Sequence, residues 1–207
     1  MNKYKKHAKE LADFMRRLYQ QKLTTTLGGN ISMKVDDGIL ITPSQIDKYS
    51  LKAYDIIHLS MDKKDIKSLN NASIETRMHL AIYKVRSDVG AIIHAHPFWC
   101  TVASIWRLKV DTNLTDEAYY NIKNIAYAKY FPMGSKELAN EVADKSKSSD
   151  VVMMGNHGIV CMGKSLVKTF EKIEIIENLC HISWLKQFND KITCLTDEAK
   201  NYINENY

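Results

Sequence analysis

Two histidines separated by one residue, His94 and His96, are the side chains in this sequence best suited to chemistry. They follow the apolar residues 91–93, and Pro97 comes directly after them. On an extended strand, residues i and i+2 point to the same face, so both imidazoles can converge on one metal ion. The proline indicates that the strand ends at such a site. The spacing is equally compatible with two ordinary histidines at a strand end.

A third candidate ligand, His157, lies in the turn-forming sequence Asn156-His157-Gly158. Glycine after the histidine favours a tight turn that presents the imidazole outward. Three neutral imidazoles around an open fourth position form a catalytic zinc site. Histidines without a metal are also common in turns, so the tripeptide alone favours the ordinary interpretation.

Glu75 is the candidate proton carrier beside these histidines. It is expected one turn into the helix that precedes the histidine strand, where it reaches a metal ion if the start of that helix faces His94 and His96. A first-turn glutamate also complements the helix dipole, and that role alone would explain it. His79 lies four residues further on and could pair with Glu75 on a metal, but the full His-Glu-x-x-His spacing is missing. We therefore expect His79 to be packed or hydrogen-bonded.

A glycine pair precedes Asn30 in the sequence Leu27-Gly28-Gly29-Asn30. Glycines allow close backbone approach, so N–H groups and the Asn30 amide could surround a phosphate. The segment matches neither a Walker loop nor the dinucleotide-binding fingerprint. A plain loop is equally compatible with it.

Short alternating strands and amphipathic helices must position these residues, and they predict one mixed sheet covered by helices. Helices are expected at residues 4–22, 73–86 with Ser73 as the N-cap, 98–106, 135–143 and 166–185. Strands are expected at residues 31–35, 39–42, 56–59, 91–96, 151–154 and 159–162, the first two joined by a hairpin at 36–38. Surface loops or a polar tail are expected at residues 63–71, 107–132 and 197–207. We expect a single α/β domain over residues 1–207.

The composition argues against a nucleic-acid-binding, a membrane-spanning or a disulfide-stabilised secreted protein. A hydrophobic content of 45% and a charged content of 26% are typical of a globular domain. The net charge of +5 is scattered and carries no nucleic-acid motif, although it favours an anionic metabolite. Four widely spaced cysteines, a charged N-terminal segment and no long apolar run indicate a reduced, cytoplasmic, soluble protein.

The order of the motifs along the chain is more specific than any one of them. They are Gly-Gly-Asn-Ile-Ser at 28–32, Ile-Thr-Pro-Ser at 41–44, Ser-x-Glu at 73–75, His-x-His-Pro at 94–97, Tyr130 before Gly-Ser-x-Glu-Leu at 134–138, and Asn-His-Gly at 156–158. Over roughly residues 5 to 200, this series resembles the class II aldolase/adducin head family.

The resemblance implies a fold and a metal site. The fold is a three-layer α/β/α domain with a central mixed, largely antiparallel sheet. The assembly is a four-fold homotetramer with active sites between subunits. The zinc ligands carry over to His94, His96 and His157, together with Glu75, which leaves the metal to act as the base.

The resemblance also implies where a substrate binds. The phosphate pocket carries over to Gly29, Asn30, Ser44 and Ser73. A tyrosine from the neighbouring subunit, which assists proton transfer to the aldehyde, carries over to Tyr130. The sequence departs from the family pattern at two places beside this pocket, Gln45 in place of a glycine and Ile74 in place of a second serine.

The implied activity is that of a zinc-dependent aldolase, a lyase of carbohydrate metabolism. It cleaves a ketose, by this resemblance a ketose 1-phosphate, reversibly to a dihydroxyacetone phosphate-type fragment and an aldehyde through an enediolate. A sugar-phosphate 4-epimerase, a dehydratase or a decarboxylase of the same family would share the metal ligands. A non-catalytic adducin-like interaction module is the alternative from another class, and the presence of all three histidines and Glu75 favours catalysis over it.

Overall fold

A computed structural model describes residues 3–60, 71–189 and 191–207 of the chain. The helices of this part are α1 (Lys5–Gln20), α2 (Thr76–Val85), α3 (Phe98–Trp106), α4 (Asp116–Asn121), α5 (Lys136–Ser146), α6 (Leu166–Leu185) and α7 (Asp197–Asn206). The strands are β1 (Asn30–Val35), β2 (Gly38–Ile41), β3 (Ile57–Ser60), β4 (Ala91–Ala95), β5 (Ala126–Ala128), β6 (Val151–Met154) and β7 (Gly158–Gly163). None of the helices in this part of the chain has the length and apolar content needed to cross a bilayer.

All seven strands join one sheet in the order β3-β2-β1-β4-β7-β6-β5. Each neighbouring pair is antiparallel except β5 and β6, which are parallel. Buried residues of α1, α3 and α6 form one core on one face of the sheet, and α2 and α5 form a second core on the other. The predicted three-layer α/β/α fold with a mixed, largely antiparallel sheet is therefore confirmed.

The central strand β4 separates the two cores by the alternation of its side chains. Ala91, Ile93 and Ala95 belong to the core under α1, α3 and α6, whereas Ile92 belongs to the core under α2 and α5. His94 has the parity of Ile92, so its side chain lies on the α2 side of the sheet. The strand pattern thus directs this imidazole towards the helix that Glu75 precedes.

The start of α2 predicted from the sequence is wrong. Ser73 is not its N-cap, because Glu75 occupies that position and the helix begins at Thr76. The Ser73 hydroxyl instead accepts a hydrogen bond from the Glu75 N–H at 3.3 Å, and the Ser73 carbonyl accepts one from the Thr76 hydroxyl at 2.6 Å. These bonds form a turn ahead of the helix. Glu75 therefore lies at the helix boundary and not one turn inside it.

Two segments expected to lack regular structure contain it. Residues 107–132 include α4 and the short strand β5, which pairs in parallel with β6. The tail at 197–207 forms α7, because the Thr196 hydroxyl accepts a hydrogen bond from the Ala199 N–H and caps the helix. The loop expected at 63–71 lies outside the described residues, apart from Asn71.

Candidate metal centre and active site

His94 occupies the middle of the sheet and is fully buried. Its strand pairs with β1 on one side and β7 on the other, with His94 opposite Asn30 and Val160. The Nδ1 atom lies 3.0 Å from the Ile159 carbonyl oxygen, and because a carbonyl can only accept, Nδ1 carries the proton. This leaves the lone pair of Nε2 free to bind a metal, an arrangement in which a backbone carbonyl orients a ligand.

The three predicted metal ligands, His94, His96 and His157, come together in the structure. The ring centroids lie 4.6 Å apart for His94 and His96, 4.9 Å for His94 and His157, and 5.3 Å for His96 and His157. One nitrogen from each ring lies within 4.8 Å of the other two. Three imidazoles at this spacing can hold one divalent ion.

The turn between β6 and β7 brings His157 to the other two histidines. Asn156 adopts the left-handed conformation with φ of 56°, which asparagine tolerates better than most residues. The Gly158 backbone packs so closely on β4 that an added Cβ would lie 2.5 Å from the Ala95 carbonyl oxygen and 2.8 Å from the His96 ring. The glycine therefore allows the His157 turn to approach the strand that carries the other ligands.

Glu75 faces these histidines from the start of α2 and is 5% exposed. Its Oε2 atom lies 3.0 Å from His94 Nε2, and its Oε1 atom lies 3.4 Å from His157 Nε2. Glu75 Oε1 and His94 Nε2 are both buried without a hydrogen-bond partner of good geometry. A buried carboxylate oxygen and a free imidazole lone pair suit a divalent cation, so the residues present fit a bound metal.

Electrostatics keep Glu75 ionised and two of the histidines neutral. Burial opposes the charge of Glu75, but His94, His157 and the Asn30 amide together lower the pKa of the carboxyl well below its ordinary value. Burial and then repulsion from His94 lower the pKa of His96 to about 3 and that of His157 to about 4. Metal ligands must be neutral imidazoles and ionised carboxylates, and these shifts favour the ligand forms of Glu75, His96 and His157. Burial opposes the charge of His94, but Glu75 raises the pKa of its imidazole, so a bound metal would take the place of a proton there.

A chain of buried hydrogen bonds holds Glu75 from behind. Asn30 Nδ2 donates to Glu75 Oε2 at 2.9 Å, and Asn30 Oδ1 accepts from His79 Nε2 at 2.6 Å. The other His79 nitrogen, Nδ1, lies 2.7 Å from the Ser32 hydroxyl, which lies 2.9 Å from the Tyr83 hydroxyl. His79 is therefore hydrogen-bonded, as expected, and it orients Asn30, which in turn orients Glu75.

The glycine turn lies against the metal site. Gly29 has φ of 67°, and an added Cβ would lie 2.6 Å from the Thr24 hydroxyl and 2.9 Å from the His94 carbonyl oxygen. Only glycine satisfies both constraints without strain. The side chain of Asn30, expected to contact a phosphate, is 3% exposed and engaged with Glu75 and His79.

The two predicted serines of the phosphate pocket lie on adjacent segments. Pro43 pairs with Ala72 in an isolated bridge, and the Ser44 N–H donates to the Asn71 carbonyl at 2.9 Å. Ser44 is partly exposed, whereas Ser73 is buried, with 9% of its surface exposed. The 43–44 segment and the 71–73 segment are thus held side by side.

Tyr130 follows β5 and is 61% exposed. Its backbone N lies 3.3 Å from the position that a Cβ on Gly155 would take, beside the turn that carries His157. The structure thus places the Tyr130 backbone near the histidine turn and exposes its phenol on the surface of the chain.

A family model described as the class II aldolase and adducin N-terminal domain matches residues 9–184. The match covers most of the chain and includes the three histidines, Glu75 and Tyr130. The chain belongs to this family.

Named relatives of this class II aldolase-family chain are aldolases of phosphorylated sugars. An L-fuculose phosphate aldolase of Methanocaldococcus jannaschii is 35% identical over 177 residues, covering 86% of this chain and 95% of the relative. A 5-deoxy-D-ribulose 1-phosphate aldolase of Bacillus thuringiensis serovar kurstaki is 29% identical over 201 residues, covering 95% and 93%. A solved structure of an L-fuculose 1-phosphate aldolase matches with a TM-score of 0.83 and 30% identity, covering 96% of this chain and 94% of the other.

Within the family fold, the sequence interpretation overlooked the residues that orient the ligands. Ser32 and Tyr83 extend the hydrogen-bond chain to His79, and the Ile159 carbonyl orients His94. One signal was available for Ser32, because it lies two residues after Asn30 on the same face of β1. The other two contacts depend on pairings between distant segments and have no local signal.

Proposed function

We propose that this chain is a metal-dependent class II aldolase that cleaves a ketose 1-phosphate reversibly to a dihydroxyacetone phosphate-type fragment and an aldehyde. The observation that carries the proposal is the convergence of His94, His96 and His157 on one buried carboxylate, Glu75. A non-catalytic interaction module has no need of such a set, because burying it lowers stability unless an ion is bound.

Three imidazoles and a carboxylate would hold the ion, and this donor set is one that Zn²⁺ accepts. When bound, the divalent ion supplies Lewis acidity towards a carbonyl oxygen and stabilises the negative charge that develops there. The Ile159 carbonyl and the Asn30 amide fix two of the donors, His94 and Glu75, and so reduce the reorganisation that binding requires.

Glu75 is the residue that moves a proton in this proposal. In the synthesis direction the carboxylate removes the proton from the carbon next to the ketone carbonyl, and in cleavage it returns that proton. A carboxylate positioned for this purpose typically contributes about 10²–10⁴-fold in rate. When Glu75 turns towards the substrate, the Asn30 amide loses its acceptor and becomes free to donate to a substrate oxygen.

The remaining predicted residues form the substrate site in this proposal. The Gly29 backbone and the hydroxyls of Ser44 and Ser73 bind the phosphate, with Asn30 beside them. Tyr130 acts on the hydroxyl that becomes the aldehyde in a neighbouring subunit, which agrees with its exposure on the surface of a single chain. We extend the proposal to a homotetramer with active sites between subunits and to a cytoplasmic location.

The test compares three variants by metal content and by aldehyde released from ketose 1-phosphates. We expect Glu75→Gln to keep the metal and lose about 10²–10⁴-fold in turnover, because the amide cannot carry the proton. His96→Ala should lose the metal itself. His58→Ala serves as the control, because His58 lies on β3 at an edge of the sheet.

Full activity in a metal-free His96→Ala protein would overturn the proposal. Conversion of the ketose phosphate to an isomer without release of aldehyde would assign the same ligands to an epimerase.

A further inference from the structure

Lys48 is a buried cation that the proposed reaction does not use. Only 1% of its surface is exposed, and among the described residues it is the only lysine or arginine classed as buried. Its ammonium group donates to the Pro43 carbonyl at 3.1 Å. An ammonium has three N–H donors, so this single neutral acceptor satisfies one of them.

The position of Lys48 links two segments assigned to the phosphate pocket. Its backbone N–H donates to the Thr26 carbonyl at 3.0 Å, at the start of the glycine turn. Its side chain reaches Pro43, which is joined directly to Ser44 and pairs with Ala72 beside Ser73. The backbone of Lys48 therefore contacts the segment that leads into the glycine turn, and its charge lies beside the Pro43–Ala72 bridge, next to Ser44 and Ser73 in the sequence.

This charge lowers the stability of the chain. Burial lowers the pKa of the Lys48 ammonium, and the nearby Asp47 only partly opposes the shift. The folded state thus holds the proton less tightly than the unfolded chain, so the charged lysine is unfavourable for folding at neutral pH. In the described residues no carboxylate oxygen lies within salt-bridge distance of this ammonium. A buried, unpaired charge is retained more readily if a ligand of opposite charge pairs with it.

We propose that Lys48 is a specificity-determining residue that supplies the positive charge of the phosphate pocket and makes the chain select phosphorylated over unphosphorylated ketoses. This inference rests on the proposed aldolase function. It gives a physical reason why the pocket can differ from the pattern that the resemblance implies, because Ile74 lacks the hydroxyl of a serine and Gln45 is bulkier than a glycine. A cation near a doubly charged phosphate replaces such neutral contacts.

The test compares wild type with Lys48→Met, which keeps the length of the side chain and removes its charge. Each metal-loaded protein is assayed with a ketose 1-phosphate and with the same ketose lacking phosphate. Calorimetric titration with inorganic phosphate measures anion binding without turnover. Lys84→Met is the matched control, because it removes the same charge from an exposed position in the last turn of α2.

We expect Lys48→Met to raise KM for the phosphorylated ketose on the order of tenfold or more, since a nearby charge contributes strongly in a partly buried site. The kinetics with the unphosphorylated ketose should stay within about twofold. Phosphate affinity should fall by a similar factor, while the melting temperature stays equal or rises because the buried charge is gone. Lys84→Met should resemble wild type in every measurement.

A purely structural lysine would give a different result. If Lys48→Met loses the same fraction of its activity with both ketoses and also has a lower melting temperature, the inference is overturned. Unchanged phosphate affinity in the Lys48→Met protein would also overturn it. If wild type cleaves neither ketose, the proposed function fails, and phosphate titration of the two proteins still decides the role of Lys48.

Discussion

Acidification should weaken folding through His79, a fully buried histidine in the hydrogen-bond chain behind Glu75. Asn30 Oδ1 can only accept, so His79 Nε2 carries a proton, and Nδ1 is left to accept from the Ser32 hydroxyl. Ser32 in turn accepts from the Tyr83 hydroxyl. Every donor in this chain has its acceptor when the imidazole is neutral. A second proton on Nδ1 would force the Ser32 hydroxyl to turn its hydrogen away from His79. The Ser32 and Tyr83 hydroxyls would then point their hydrogens at each other.

The size of the effect follows from the pKa of His79. Burial first, and then repulsion from His94, lower it from 6.5 to about 3 in the folded chain. Below pH 6.5 the unfolded chain therefore binds a proton that the folded chain does not bind, so stability is lost as the pH falls from 6.5 towards 3. Each pH unit in this window costs about 1.4 kcal/mol, which amounts to about 2 kcal/mol at pH 5.

The assay is urea denaturation at a series of pH values between 7.5 and 5, for wild type and for His79→Gln. Glutamine keeps one donor and one acceptor but does not titrate in this range. A chelator is present throughout, so that release of metal at low pH does not add to the slope. Contributions from all other groups are shared by the two proteins. The difference between their unfolding free energies isolates His79.

We expect the wild type to lose about 2 kcal/mol more than His79→Gln between pH 7 and pH 5. Parallel curves for the two proteins would refute the reasoning, because they would mean that His79 binds its second proton equally well in the folded and unfolded chains. A steeper loss in the variant would contradict it as well.

Two substitutions test the glycine and left-handed positions around the site. Gly158→Ala should displace the histidine strand and weaken metal binding at least tenfold, measured by competition with a chelator. Gly155→Ala, whose nearest contact would be 3.3 Å, is the control, and equal affinities in the two variants would count against this packing argument. Gln45 is exposed and has a φ of 54°, in the left-handed region that favours glycine. Gln45→Gly should therefore raise the free energy of unfolding in urea by about 0.5–1 kcal/mol. A fall of that size would show that the Gln45 side chain stabilises the fold by more than its backbone conformation costs.

Local pattern was sufficient for the elements that carry the metal ligands. The apolar residues 91–93 and the proline at 97 predict a strand over residues 91–96, and the structure has β4 at Ala91–Ala95, so that His96 lies directly after the strand. The strands on either side of the His157 turn were also predicted, because their apolar runs are short and bounded by turn residues. Both signals lie within a few residues of the ligand they position.

Other features depend on contacts between distant segments. The three residues of β5 are too few for a period to be recognised, and their strand forms because β6 pairs with them in parallel. The engagement of the Asn30 amide with Glu75 and His79 likewise joins residues 45 and 49 positions apart. The helix α7 had a local signal, Thr196 followed by two acidic residues, which the polar composition of the tail obscured.

The pairing of β4 with β7 has a consequence for how the chain folds. His94 and Ile159 are 65 residues apart, so the two strands meet only after a long segment of the chain has been closed. Pairings of this kind form slowly compared with local hairpins. Since His157 reaches the other two histidines only through this pairing, the three-histidine site is completed late. The absorbance of a coloured ion such as Co²⁺, followed during refolding, would therefore show when β4 and β7 pair.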